Sequence, residues 1–419
     1  MLMSLALEGV GPAESMGPID FSPRLNFFTG DNGLGKSFIL DMAWWALTRT
    51  WARNIPASPR IESNTPKIKF SFSKNTPGIF SSESFFDRKK QDWTIKQGRP
   101  SIPGIVMYAG VDGSFSAWDP ARNYWNAEFP NTSTRPPCFN FSPDEVWNGL
   151  NGEGGIRYCN GLIHDWVLWQ RGLDPAFNDL IRVLDALSPS NGEKLIPGKP
   201  VRIGFDVKDY PSIRMAYGQD IPLIHASAGM RRIVALAYLL VWTWREHQLA
   251  ANQTGVKPAK EIIFLVDEIE CHLHPQWQRR VVPSLMDVMQ ALTREEVPCQ
   301  LIAATHSPLV LASVEPRFDE DLDSIHTLNL INGRAVIEKE IWAKQGDANS
   351  WLISDAFKLN QARSVEAEEA IEAAEAFMRN EIFRLPENLN TKEKINQALL
   401  SLIPGGDRFW SRWIVYNEK

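Results

Sequence analysis

Two short runs in this chain combine residue types that can handle a phosphate group. Gly30-Asp-Asn-Gly-Leu-Gly-Lys-Ser37 sets glycines, a lysine and a hydroxyl in the GxxxxGK[ST] pattern. The glycines let backbone N–H groups turn toward phosphate oxygens, Lys36 brings positive charge to the β and γ phosphates, and the Ser37 hydroxyl is a ligand for Mg²⁺. Ile262-Ile-Phe-Leu-Val-Asp267-Glu268 is an apolar run ending in two carboxylates. Asp267 is expected near the metal, and Glu268 is expected to polarise a water attacking the γ-phosphate. Two further runs fit around them. Thr305-His306-Ser307-Pro308 follows an apolar stretch, so His306 points into the crevice of an open α/β sheet and can sense the γ-phosphate. In His225-Ala-Ser-Ala-Gly-Met-Arg-Arg232, Ser227 is a natural N-cap and Gly229 allows close approach at an anion-attracting helix start.

These side chains need particular elements to carry them. Leu25 to Thr29 reads as a buried strand entering the Gly-rich loop, and Phe38 to Trp51 as the helix that leaves it. Glu261 to Val266 reads as a buried strand expected beside the loop's own strand, and Leu301 to Ala304 as another. Ser227 to His247 reads as a long helix. Its apolar stretch, Ile233 to Trp244, is too short to span a bilayer. Met1 to Phe28 reads as short strands broken by turns.

The region from Arg53 to Tyr217 is rich in Pro, Gly, Ser and aromatics. Ile68 to Phe72 and Ile105 to Tyr108 are strand candidates there, while Val146 to Trp169 and Pro175 to Leu187 look helical. Asn332-Gly333 marks a hairpin turn. Arg363 to Arg384 is an Ala/Glu-rich amphipathic helix, and Phe409 to Trp413 is an apolar anchor in the tail. The expected parts are 1–52 and 218–345 as two halves of one α/β head, 53–217 as an insert, and 346–419 as a helical module.

Composition sets bounds on function. With 44% apolar and 22% charged residues, this is an ordinary soluble globular composition. The net charge of −6 gives no global drive toward nucleic acid, so a DNA contact would need a local basic patch. Sixteen tryptophans suggest an aromatic-rich core. The four cysteines form no CxxC pair, which fits a reducing cytosol rather than a disulfide or metal framework. No secretory leader is visible, and a cytoplasmic protein without a membrane partner is expected.

The ordered set GDNGLGKS, SAGMRR, FLVDEIECHLHP and THSP resembles the ABC-type ATPases of the SMC, Rad50, RecF and OLD-like group. The resemblance implies an α/β P-loop head with a mixed sheet, an inserted subdomain and a helical C-terminal module. It implies ATP and Mg²⁺ as ligands, with Gly30, Asp31, Asn32, Gly33, Leu34, Gly35, Lys36, Ser37 and Phe38 around the nucleotide. Ser37 and Asp267 would hold the metal, and Lys36, Glu268 and His306 would be the catalytic set. It further implies a dimer in which Ser227 and Gly229 of one subunit meet the ATP held by the other, with Cys271 to Pro275 as a loop at the interface. Met230 stands where many such signature segments have Gln or Glu. For the glutamine loop of such heads, Gln91 and Gln97 lie in an unremarkable stretch and fit only weakly.

Within that group the short insert and the DEIExHLHP form are most similar to Septu-type, PtuA-like defence ATPases, including those attached to retrons. That similarity implies an ATP-gated regulator of a separate HNH nuclease in anti-phage defence. The alternatives are a RecF-like clamp acting directly on DNA and a nucleotide-binding scaffold with negligible turnover. Glu315, Asp321 and Asp323 superficially offer nuclease metal ligands, but their polar run reads as a solvated acidic loop, and no intrinsic nuclease is expected.

Overall fold

The first 30 residues already set up two kinds of sheet. Leu2–Val10 (β1) alternates buried and partly exposed positions, as a strand with one covered face does, and Ala13–Asp20 (β2) pairs back on it. Leu25–Gly30 (β3) is buried over nearly its whole length and must be interior to a sheet. The computed structural model describes all residues except 62, 64, 74–77, 95–103, 124–135, 191, 294–296 and 418–419. It divides into two units, Met1–Ala348 and Asn349–Lys419.

In the first unit, β1 and β2 join Lys67–Ser73 (β4), Ile79–Asp87 (β5) and Asp92–Trp93 (β6) in an antiparallel sheet of order β2-β1-β4-β5-β6. The main sheet contains β3 with Ile105–Ala109 (β7), Phe115–Trp118 (β8) and Phe139–Phe141 (β9). Helix α1 (Lys36–Thr48) follows β3 and buries Trp44 and Trp45 in a core shared by both sheets. The insert adds α2 (Pro143–Asn148), the hairpin β10 (Leu150–Asn151) with β11 (Arg157–Cys159), α3 (Leu162–Gly172) and α4 (Pro175–Ala186). Small ladders follow: β12 (Ile196–Pro197), β15 (Ser212–Arg214) and β16 (Asp220–Pro222) in one, β13 (Val201–Arg202) and β14 (Asp209–Tyr210) in the other.

The helix expected over Val146 to Trp169 is therefore interrupted. Gly149, Gly154 and Gly155 all take positive φ, and the chain folds into the β10–β11 hairpin instead of continuing as helix.

After α5 (Ala228–Thr254) come β17 (Ile262–Val266), α6 (Pro275–Gln278), α7 (Val281–Thr293), β18 (Cys299–Ala304), α8 (Pro308–Val314), β19 (Asp323–Ile331) and β20 (Arg334–Lys339). The main sheet has the order β20-β19-β3-β18-β17-β7-β8-β9. Its five central strands, β19 to β7, are parallel, and the flanking ones are antiparallel. The β17 strand was expected beside β3. Instead β18 lies between them, pairing Ala303 with both Val266 and Phe27. The β19–β20 turn has Asn332 and Gly333 both at positive φ, as a type I′ hairpin needs.

The second unit opens with the rest of α9 (Ala348–Leu352) and centres on α10 (Val365–Met378), α11 (Lys392–Leu402) and α12 (Phe409–Asn417). Ala367, Ala370 and Ala374 let α10 approach α11 closely, around Ile371, Ile395, Leu399 and Trp413. The helix expected to run to Arg384 ends at Met378. Asn380 takes a left-handed conformation, and a separate short helix covers Ile382–Arg384. Among the described residues no helix is long and apolar enough to cross a membrane.

Candidate functional site

Because β3, β18, β17 and β7 are parallel neighbours, their C-terminal ends emerge along one edge. The segments that follow them are the Gly-rich loop, His306, the Asp267–Glu268 pair and the turn from Gly110 to Ser114. A crevice at the carboxyl ends of such strands is where open α/β sheets take ligands.

The Gly-rich loop needs its glycines for two separate reasons. Gly30, Gly33 and Gly35 all have φ between +79° and +113°. At Gly30 a side chain would also collide with the Leu328 carbonyl of β19, and at Gly35 with Pro12 in the β1–β2 turn. Helix α1 starts at Gly35 without a side-chain cap, so its first N–H groups remain for an anion. Lys36 is buried, and its Nζ donates to the Gly30 and Asp31 carbonyls at 2.8 Å each. Burial pushes its pKa down, opposed by Glu268 and Asp267. Asp31, Asn32 and Gly33 are exposed at the loop's tip, Leu34 is buried, and Phe38 packs beneath Gly11.

The Ser37 hydroxyl donates to Asp267 Oδ1 at 2.9 Å, so the two proposed metal ligands are in contact. Burial raises the Asp267 pKa, and the bond from Ser37 partly offsets this. Among the described residues no cluster of three or more His, Cys, Asp or Glu could hold a metal alone. The Ser37–Asp267 oxygen pair suits Mg²⁺, which keeps few protein ligands and is otherwise held by phosphate and water.

Glu268 is half-buried and has φ of 46°, left-handed for a non-glycine residue. Its carbonyl accepts from Cys271 N at 2.9 Å and from Arg232 at 3.2 Å. Arg232 also donates to the Asp267 carbonyl at 3.2 Å and the Val111 carbonyl at 2.6 Å.

Glu270 bridges to the next strand end, accepting from His306 N at 2.5 Å and Thr305 Oγ1 at 2.7 Å. His306 Nε2 is buried without a hydrogen-bond partner among the described residues. Burial and then Lys36 lower its pKa, which keeps the imidazole neutral at pH 7. A neutral ring with an open nitrogen beside Lys36 can donate to a phosphate oxygen. Gln278 completes the frame, accepting from Ser307 Oγ at 2.7 Å and donating to the Leu273 carbonyl at 2.9 Å.

Ser227 lies apart from this cluster. It is exposed, and its hydroxyl caps its own helix by accepting from Met230 N. Gly229 has a second role besides leaving room for a ligand. A Cβ there would lie 2.6 Å from the His272 carbonyl, so the start of α5 rests on the loop after Glu268.

Arg232, Glu270 and Gln278 carry no motif of their own, because each works chiefly on backbone or hydroxyl groups. Gln91 lies in the β5–β6 turn bonded to the Arg88 carbonyl, and Gln97 is outside the described residues. The acidic run is only partly solvated. Glu315 is buried and accepts from the Gln345 and Gly346 amides, Asp323 is buried in an ion pair with Arg24, and Asp321 is exposed, as are Asp319 and Glu320. Burial of those two carboxylates is met by N–H donors, which the local sequence did not reveal.

Residues 25–312 match the family described as "AAA domain, putative AbiEii toxin, Type IV TA system". The Septu protein PtuA of Bacillus thuringiensis is 21% identical over 88% of this chain and 87% of its own length. The Retron Vc95 probable ATPase of Vibrio cholerae serotype O1 biovar El Tor is 31% identical over 23% of this chain and 17% of its own. Among solved structures, the SMC head domain from Thermotoga maritima aligns over 81% of this chain and 99% of that one, at 17% identity and a TM-score of 0.40. With the family match spanning both the Gly-rich loop and His306, the chain belongs to this AAA-domain family and is an ABC-type P-loop ATPase related to Septu PtuA.

Proposed function

We propose that the chain binds ATP with Mg²⁺, pairs with a second copy across two shared nucleotide sites, and uses hydrolysis to regulate a separate nuclease in anti-phage defence. The observation that carries the ATPase part is the Ser37–Asp267 contact with Lys36 and the open His306 nitrogen at one sheet edge. In this reading the α1 N-terminus and Lys36 hold the phosphates, Glu268 orients and deprotonates water, and His306 donates to the γ-phosphate. Ser37 and Asp267 would hold Mg²⁺, which neutralises phosphate charge when bound. The pairing rests on Ser227, an exposed helix cap with no bond to its own Gly-rich loop among the described contacts.

The nuclease partner rests on the similarity to Septu PtuA. It is expected to be of the HNH type, acting in the cytoplasm, with the helical part 346–419 as its docking module and 53–217 as a decoration of the head. The engagement of Glu315 and Asp323 within the fold supports a chain without its own nuclease.

Turnover by the purified chain tests the central claim. Lys36→Ala should abolish binding of a fluorescent ATP analogue, EDTA should stop hydrolysis, and Glu268→Gln should keep binding while lowering kcat by roughly 100-fold or more. Equal rates for wild type and Glu268→Gln would remove Glu268 from catalysis and leave a nucleotide-binding scaffold.

A further inference from the structure

The half-buried arginine that reaches from the signature helix to the catalytic turn has no place in the mechanism above. Arg232 lies on the second turn of α5, on the helix that Ser227 caps. Its guanidinium donates to three carbonyl oxygens, those of Val111, Asp267 and Glu268. Two of these flank the left-handed residue that carries the proposed catalytic carboxylate. A non-glycine residue persists in that conformation only where its surroundings over-determine it. Among the described residues the other bond to the Glu268 carbonyl is the backbone bond from Cys271.

Arginine suits this task because its planar fork reaches several acceptors at once and stays charged. The helix is stiff where it matters, since Ile233, Val234, Ala237 and Tyr238 are buried in the same stretch. The helix therefore gives Arg232 a firm base. A cavity of about 270 Å³, lined by Val111, Asp112, Ala228, Arg232 and His272 among others, borders this stretch.

We propose that Arg232 is a positioning residue that ties the signature helix to the catalytic turn of its own chain: by gripping the Asp267 and Glu268 carbonyls it fixes the Glu268 carboxylate against that chain's own nucleotide. This rests on the shared-site ATPase reading. The hold acts within one chain and does not require the opposite site to be occupied, so a site with its own Arg232 intact turns over beside an empty one.

Arg232→Ala should lower kcat by roughly 10- to 100-fold with KM for ATP within about threefold, and Arg232→Lys should recover part of the loss. Wild-type kcat in Arg232→Ala, or a loss wholly in KM, would overturn the proposal.

Mixed dimers separate a hold on the same chain's Glu268 from simple damage to the signature segment. Arg232→Ala subunits mixed with Ser227→Arg subunits should regain roughly a quarter of wild-type turnover, since half the dimers are mixed and each has one live site. Mixed with Lys36→Ala subunits they should regain none. The reverse pattern would mean that Arg232 serves only the signature surface in trans, and silence in both mixtures would mean general damage; either overturns the proposal. Lys36→Ala mixed with Ser227→Arg is the control. If that pair stays silent, the shared-site reading itself fails, and the cis role of Arg232 stands or falls on the kcat and KM values alone.

Discussion

Two histidines in the sheet show how little residue type says without environment. His306 ends a strand with an open ring nitrogen and takes part in the proposed chemistry. His326 lies inside β19, stacked on Phe28 and bonded to Ser324, and is a packing residue. Burial, with Lys339 nearby, pushes the His326 pKa down to about 4. The unfolded chain therefore takes up a proton below about 6.5 that the folded chain refuses until about 4, so this stability is present above pH 6.5 and lost on acidification. Between pH 7 and pH 5 the loss should be about 2 kcal/mol. His326→Gln should flatten that part of the curve, read as the urea midpoint at the two pH values. An unchanged pH dependence in the variant would show that His326 is not its source.

At the scale of elements, the site is a set of termini, and that explains what could be read in advance. Lys36, Asp267 and His306 each follow a short apolar run, and Ser227 precedes one, so the elements beside all four could be placed from periodicity, while the residues themselves were proposed from their motifs. The neighbour of β17 was misjudged because sheet order depends on pairings between distant segments, which local pattern does not encode. The Val146 to Trp169 stretch was misread because its apolar residues fit a helix, while Gly149, Gly154 and Gly155 were the better guide to its hairpin. Arg232 and Glu270 stood in plain view but contact main-chain groups, which any sequence supplies. The α5 start offers a test at this scale. Gly229→Ala gains helix propensity of about 1 kcal/mol but sets a Cβ against the His272 carbonyl, at an overpacking cost of about 1–3 kcal/mol. The net loss is at most about 2 kcal/mol, so the melting temperature should fall by only a few degrees. Turnover should nevertheless fall about tenfold, because helix and loop cannot both keep their places. Wild-type turnover would show that this contact is not needed for catalysis.

For the whole molecule, the division at Ala348 separates two cores, one beneath the sheets and one among α10, α11 and α12. A chain ending at Ala348 should bind and hydrolyse ATP within about threefold of the full chain while losing the proposed nuclease partner in a co-purification assay. Loss of ATP binding in that truncated chain would show that the helical unit is part of the ATPase. The position of β3 has a consequence for synthesis. Both of its neighbours come from near the far end of the head, since Leu25 pairs with Leu301 and with Asp323. At about 5–20 residues per second, the ribosome leaves this apolar strand unpaired for tens of seconds before either partner emerges. The nascent chain must be shielded from aggregation over that interval, and ATP cannot help it fold because the phosphate cradle has no floor. Products of broken messages or early stops lack the same floor, so nucleotide binding begins only once the head has been fully translated.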